Sequence, residues 1–190
     1  NTITTLCISK GIVTSGGNYV GGLSGGFKVA DITLLRYISK CCTTCNVTGG
    51  NNVGGILGSI SIEANQNVTV SGELVDCFST GFIQGISTGN GYGVGGIVGR
   101  AEASSYYGTV QTRNISRCYA KGNIEGKTAI GGIVGYGIAV NINKCKALMN
   151  DIKMIGLSDY AGRILGYNNV NALATLSDNN ALDTMTFTRE

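Results

Sequence analysis

Four stretches of the chain alternate in the same way. Cys7, Ser9, Gly11 and Val13 occupy one phase of a two-residue period, as do Cys41, Thr43, Cys45 and Val47, then Cys77, Ser79, Gly81 and Ile83, then Cys118, Ala120, Gly122 and Ile124. The interleaved phase is mostly polar, with Lys10, Thr44, Asn46, Thr80, Lys121, Asn123, Lys146 and Asn150. Residues two apart share one face of an extended strand, so the small and apolar set is expected inward and the polar set outward. An aliphatic residue stands three before the cysteine in four copies (Ile38, Leu74, Ile115, Ile142), and an aliphatic stands six after it in four (Val13, Val47, Ile83, Ile124). The block therefore recurs on Cys7, Cys41, Cys77, Cys118 and Cys145; in the Cys145 copy the later aliphatic, Ile152, comes one residue late. A sixth, partial copy has Asn179 in the cysteine place, with Leu176 before it and Met185 after it.

A second motif follows each block. It reads VGGLSG at 20–25, VGGILG at 53–58, VGGIVG at 94–99, IGGIVG at 130–135 and AGRILG at 161–166. The spacing between copies is uneven, which predicts a fixed strand core with loops of variable length. One narrow apolar strand face cannot bury itself, but identical turns stacked about 4.8 Å apart bring like side chains into ladders and build a continuous core. The expected fold is all-β: a right-handed parallel β-helix, or β-solenoid, of about five stacked irregular turns. It forms a single domain over 1–190, with repeats at 3–37, 38–73, 74–114, 115–141 and 142–175 and a partial one at 176–190. The hexapeptide suits a second strand of each turn. Its glycines, Gly21, Gly22, Gly25, Gly54, Gly55, Gly58, Gly95, Gly96, Gly99, Gly131, Gly132, Gly135 and Gly166, mark sharp bends or close backbone approach. Composition agrees: 31 glycines, no proline, no tryptophan and 13% charged residues. Proline would delete a ladder hydrogen bond wherever it fell inside a stacked strand.

These residues resemble the GLUG-motif repeats of bacteria and protists, named for a Gly-Leu-any-Gly core. Gly22-Leu23-Ser24-Gly25 matches that core as written. Gly55-Ile56-Leu57-Gly58, Gly96-Ile97-Val98-Gly99 and Gly132-Ile133-Val134-Gly135 are similar with isoleucine for leucine, while Arg163-Ile164-Leu165-Gly166 departs at its first glycine. With the cysteine blocks, the likeness covers nearly the whole chain. It implies a part of a large secreted or cell-surface protein, adhesin-like or a non-catalytic region of a peptidase, and carries over no catalytic residue.

The strand phase puts Cys7, Cys41, Cys45, Cys77, Cys118 and Cys145 inward, where a thiol packs as a small apolar group. An oxidised pair of Cys41 with Cys7 or Cys77 is the alternative in an extracellular setting, since neighbouring turns lie within disulfide range. Cys42 falls on the outward phase, either as an exposed thiol able to form an intermolecular disulfide or beneath a covering loop. Ile8, Phe78 and Tyr119, with Ile12 and Phe82 further along, form an outward apolar stripe. Either the segments 63–71 and 101–112 cover it or it is a contact surface. Lys40, Asp76, Arg117, Lys144 and Asp178, each just before the cysteine column, make an outward column of mixed charge. Sequons at Asn46, Asn67 and Asn114 are candidate glycosylation sites, in a number that this Asn-, Ser- and Thr-rich chain supplies by chance.

Chemistry is thin. With no histidine, Ser-His and Cys-His nucleophile pairs are excluded, and Cys41-Cys42-Thr43-Thr44-Cys45 lacks a second cluster to complete a zinc site. The acids are scattered, and the best pair, Asp178 and Asp183, belongs to the ragged last copy. The glycine-rich run at Gly91–Gly96 opens a strand rather than a helix, which speaks against a phosphate site. A net charge of +3 from scattered basic residues gives no support for nucleic acid binding, and no run of 18 or more apolar residues spans a membrane. The expectation is a non-enzymatic module without cofactor, extracellular or at the cell surface. Because the chain opens on Asn1, it reads as a processed product or a piece of something longer. The repeat block starts at Ile3 with no capping helix, which suggests head-to-tail growth into a rod or filament. The alternative is a binding module for a host glycan or protein, acting through the Ile8, Phe78, Tyr119 stripe or the loops around Tyr106 and Tyr107.

Overall fold

A computed structural model describes residues 3–29, 36–62, 72–87, 92–103, 113–127, 129–156, 160–169 and 173–190. Their strands form five parallel sheets in which each strand pairs with its counterpart one turn earlier and one turn later. The chain is therefore a parallel β-solenoid of five turns and a partial sixth. Each full turn contributes one strand to every sheet, as the second turn shows: Arg36–Ser39 lies in sheet one, Cys42–Thr43 in sheet two, Asn46–Gly49 in sheet three, Asn52–Gly54 in sheet four and Leu57–Ile62 in sheet five. The sixth turn supplies Thr175–Ser177, Asn180–Ala181 and Thr186–Arg189 to sheets one to three. The hexapeptide is not one strand, as expected, but two: its double glycine bends the chain from sheet four into sheet five. The repeat boundaries drawn at 38, 74, 115, 142 and 176 fall inside the sheet-one strands, which start at Arg36, Gly72, Arg113, Val140 and Thr175.

The core is a set of ladders. Ile38, Leu74, Ile115 and Ile142 stack in register and are buried, as are Val47, Ile83, Ile124 and Ile152. Burying each such side chain contributes about 1.5–3 kcal/mol. In the last turn Phe187, not Met185, pairs with Ile152. Met185 is nevertheless buried, because it packs into the end of the core just ahead of that strand. Leu176 and Phe187 continue two core ladders yet stay 51% and 39% exposed, because they have a neighbour on one side only.

A period of two cannot by itself put residues three apart, such as Ile38 and Cys41, both inward. The corner between sheets one and two resolves this. Leu6, Lys40, Asp76, Arg117, Lys144 and Asp178 all adopt left-handed backbone, with φ between 51° and 56°. One left-handed residue turns the strand and resets its phase, so the charged column stands at a strained corner rather than on a flat strand.

The glycine corner is tighter still. A Cβ on Gly22, Gly55, Gly96 or Gly132 would come within 3.0 Å of the carbonyl oxygen of the equivalent residue in the next turn: Gly55, Gly96, Gly132 and Arg163 respectively. A Cβ on Gly58, Gly99, Gly135 or Gly166 would likewise meet the backbone nitrogen of the first hexapeptide residue one turn earlier. By contrast, Gly16 has nothing within 4 Å of that point. Gly96→Ala is expected to destabilise the fold by about 3 kcal/mol or more, and Gly16→Ala to change it by under about 1 kcal/mol. Denaturant unfolding of the two variants checks both.

Candidate functional site

The thiol column opens sheet two. Cys41, Cys77, Cys118 and Cys145 are buried, and Cys7, at the end of the column, is half-buried. Each buried thiol donates to the carbonyl two residues back: Cys41 to Ser39, Cys77 to Val75, Cys118 to Ser116 and Cys145 to Asn143, each at 3.3 Å. All four also reach a carbonyl one turn away, as Cys145 does to Ile115 at 3.5 Å. Cysteine suits this place because it is small and apolar and still offers a weak donor to carbonyls beside the left-handed corner. In the sixth turn Asn179 plays the part with its amide, accepting from the Cys145 nitrogen at 2.9 Å and donating to the Ile142 carbonyl at 2.7 Å. All seven cysteines are unbridged. Cys45 is buried, its sulfur against the Ser9 hydroxyl at 3.2 Å.

Beyond the thiols the same inward face carries Thr43, Ser79, Ala120 and Ala147, all buried. The Thr43 hydroxyl donates to the Gly55 carbonyl at 2.6 Å, tying sheet two to the glycine corner across the lumen. Burial removes water from these groups and disfavours the thiolate. It pushes Cys41 up to about 11 and Cys118 well above its ordinary value.

The outward column of sheet two runs Ile8, Cys42, Phe78, Tyr119, Lys146, Asn180. Cys42 thus lies within the predicted apolar stripe, half-buried between Ile8 and Phe78. Phe78 and Tyr119 stack with ring centroids 4.8 Å apart and planes 3° from parallel. Ile8 is 70% exposed and Ile12 80%. Phe82 is separated from Ile12 by Asn46, whose side-chain oxygen accepts from the Phe82 nitrogen at 2.9 Å. The segments 63–71 and 104–112, with Asn67, Tyr106 and Tyr107, lie outside the described residues. Of the other two sequons, Asn46 is exposed, whereas the Asn114 amide donates to Glu73 at 3.4 Å and its oxygen accepts from Asn141 at 3.1 Å.

Sequence reasoning missed two features. The residue after each hexapeptide forms an outward column on sheet five, where Arg100 lies over the Tyr136 ring at 5.0 Å and Tyr136 stacks on Tyr167 at 4.9 Å. Tyr160 meets Tyr167 edge-on at 4.6 Å. The motif's fixed position would have shown this column. The second feature is Arg113, fully buried on the inward face of sheet one, with room beside it because its neighbour in the previous turn is Gly72. Its Nε and Nη2 donate to the Glu102 carbonyl at 3.0 and 3.1 Å, and its Nη1 has no partner among the described residues. Desolvation draws its pKa down to about 9. Nothing in the alternating pattern distinguishes it from a surface arginine.

Elsewhere charges pair between turns. Arg117 forks onto Asp76 at 2.6 and 2.9 Å, and this hydrogen bonding holds the Asp76 carboxyl below its usual range. Lys153 joins Glu190 at 2.8 Å and Glu125 at 3.9 Å, and Gln84 donates to Glu125 at 2.9 Å. Among the described residues no group of three or more Cys, Asp or Glu side chains converges as a metal site. Asp178 and Asp183 are exposed in the partial sixth turn, and the Asp183 carbonyl accepts from Arg163 at 3.4 Å.

Two outcomes follow from the buried groups. The Cys41 thiol loses its proton at 9.0 when unfolded and at about 11 when folded, so its contribution is complete below pH 9.0 and is lost as pH rises through about 11. Thermal melts across that window are expected to fall less steeply for Cys41→Ala than for the unsubstituted chain. Arg113→Met removes a desolvated, incompletely bonded charge and is expected to raise the unfolding free energy by about 1 kcal/mol or more, measured by denaturant titration.

No protein-family model matches the chain, and no curated protein matches it. Among solved structures, the chain is similar to one from Bacteroides ovatus described as a "putative immunoglobulin A1 protease". The two are 23% identical with a TM-score of 0.73, over 98% of this chain and 55% of that one. The chain thus spans about half the length of that structure, and the likeness shows a shared β-solenoid fold.

Proposed function

We propose that this chain is a non-enzymatic structural module of a secreted or cell-surface protein: a rigid β-solenoid block that holds adjoining parts apart and presents an outward stripe to a partner. The observation that carries this reading is where the polar chemistry goes. Arg117 with Asp76, Lys153 with Glu125 and Glu190, Gln84 with Glu125 and the thiols with carbonyls one turn away all bind one turn to another. At about 4.8 Å per turn, the block spans roughly 25–30 Å along its axis, a spacer rather than a long rod. The stripe of Ile8, Phe78 and Tyr119 is the surface we assign to an adhesive contact with a host glycan or protein, because flat aromatic and aliphatic groups on a stiff sheet lose little freedom on binding.

A second reading makes the chain the non-catalytic β-helix region of a secreted peptidase. It is favoured by the likeness to the Bacteroides ovatus protein and by the resemblance to GLUG repeats. Both readings predict that the chain alone, incubated with immunoglobulin A1 or unfolded casein, releases no peptide by mass spectrometry. Cleavage that survives repurification would overturn both. Host glycoproteins captured by the unsubstituted chain should be lost on Ile8→Ser with Phe78→Ser; unchanged capture would remove the stripe from the proposal.

A further inference from the structure

Stacking gathers charges that lie scattered along the sequence. Residues one before, one after and three after the cysteine column ride on the outer side of sheet two or on its left-handed corner. There stand Lys10, Lys40, Arg117, Lys121, Lys144 and Lys146, against two acids, Asp76 and Asp178. This face carries a surplus of four positive charges in a chain whose whole surplus is three, so the remaining residues are one charge negative. The density is greatest in turns four and five. Tyr119 pairs with Lys146 of the next turn, Lys121 follows Tyr119 by two residues, and Arg117 and Lys144 occupy the corner of their successive turns. All four basic side chains are exposed. The Arg117 guanidinium is committed to Asp76. Lys121, Lys144 and Lys146 have no ion-pair partner among the described residues, and Asp178, in the turn beyond, does not pair with Lys144. Like charges on neighbouring strands repel, and elsewhere this chain matches them across turns, as with Lys153 and Glu125. Three unmatched lysines around one ring are a concentration of charge that the fold itself does not use.

We infer that turns four and five of sheet two bind a linear sulfated glycan, with its sulfates over Lys121, Lys144 and Lys146 around the Tyr119 ring. The inference rests on the adhesive reading above and narrows it, moving the contact from the Ile8 end of the stripe to its basic end. Charge complementarity requires an anionic partner. The backbone argues against an extended peptide: the strands Tyr119–Ala120 and Lys146–Ala147 are each paired on both sides, so no edge is open to strand addition. The rings argue against nucleic acid. Phe78 and Tyr119 lie 3° from parallel and face each other, which leaves little aromatic face for a base to stack on. A carboxylate is best held by the two-pronged fork of an arginine, and the Arg117 fork is already taken. Lysines are point charges with rotatable donors, suited to a sulfate whose oxygens accept from several directions. One rung every 4.8 Å or so then offers cations in succession to a chain lying along the axis.

The probe is size-defined heparin, titrated into the unsubstituted chain by calorimetry. Binding is expected, and raising salt from about 50 to about 200 mM should weaken it roughly twentyfold as three lysines give up their hold on a densely charged chain. Lys121→Gln, Lys144→Gln and Lys146→Gln together should weaken it about tenfold or more, whereas Lys28→Gln, Lys127→Gln and Lys153→Gln, which remove the same charge elsewhere, should leave it within about twofold. Because Lys144 stands at a left-handed corner, Lys121→Gln with Lys146→Gln alone keeps the test decisive if the triple variant does not fold. No heparin binding, or equal binding by the sheet-two variants, would overturn the inference. Equal affinity for hyaluronan, which has carboxylates and no sulfate, would overturn the choice of sulfate, and tighter binding of single-stranded DNA would overturn the choice of a glycan. Heparin reads the lysines alone, so its failure leaves the capture experiment with Ile8→Ser and Phe78→Ser standing. Peptide release by the chain would instead overturn the module's role without touching the heparin result.

Discussion

The backbone approach at the glycine corner sets the geometry of the whole molecule. Between one turn and the next, the third hexapeptide residue faces a carbonyl and the sixth faces a backbone nitrogen, each with no room for a Cβ. Two strands can lie this close at a bend only if neither carries a side chain there, so the motif is a steric requirement repeated once per turn. The close corner also brings Gly55 within reach of the Thr43 hydroxyl, which narrows the lumen until single columns of aliphatic residues fill it.

The opposite corner solves a different problem. A left-handed, non-glycine residue there costs roughly 1–2 kcal/mol, and six successive turns bear that cost. What they gain is a phase reset that lets both sheet one and sheet two aim apolar residues at the same lumen. The carbonyls beside that corner would otherwise be poorly satisfied, and the buried thiols answer them. The cysteine column is thus explained by hydrogen bonding and volume, without recourse to redox chemistry or metal.

With the inside consumed by packing, any dealings with other molecules fall to the outside and the ends. Outward columns mostly pair with themselves: Phe78 on Tyr119, Tyr136 on Tyr167, Arg117 on Asp76. Such ladders contribute only modestly to stability where exposed, but they keep neighbouring turns in register. What they leave exposed are Ile8 and Ile12 in the first turn, while Leu176 and Phe187 in the last continue two core ladders with a neighbour on one side only.

The sequence alone determined the solenoid. A period of two, repeated with a cysteine and a glycine hexapeptide in each copy, dictates inward ladders, because identical strands bury a one-sided pattern only by stacking. It also placed Cys41, Cys77, Cys118 and Cys145 inside, Cys42 outside and the Phe78–Tyr119 stripe in register. Only the tertiary structure decided that a turn has five strands, that the hexapeptide bends between two of them, and that Lys40, Asp76 and their equivalents sit at a left-handed corner, since backbone angles leave no mark on side-chain alternation. Arg113 and the Tyr136–Tyr167 column were hidden for a related reason: burial and stacking depend on which residue lies one turn away, some thirty to forty positions along the chain.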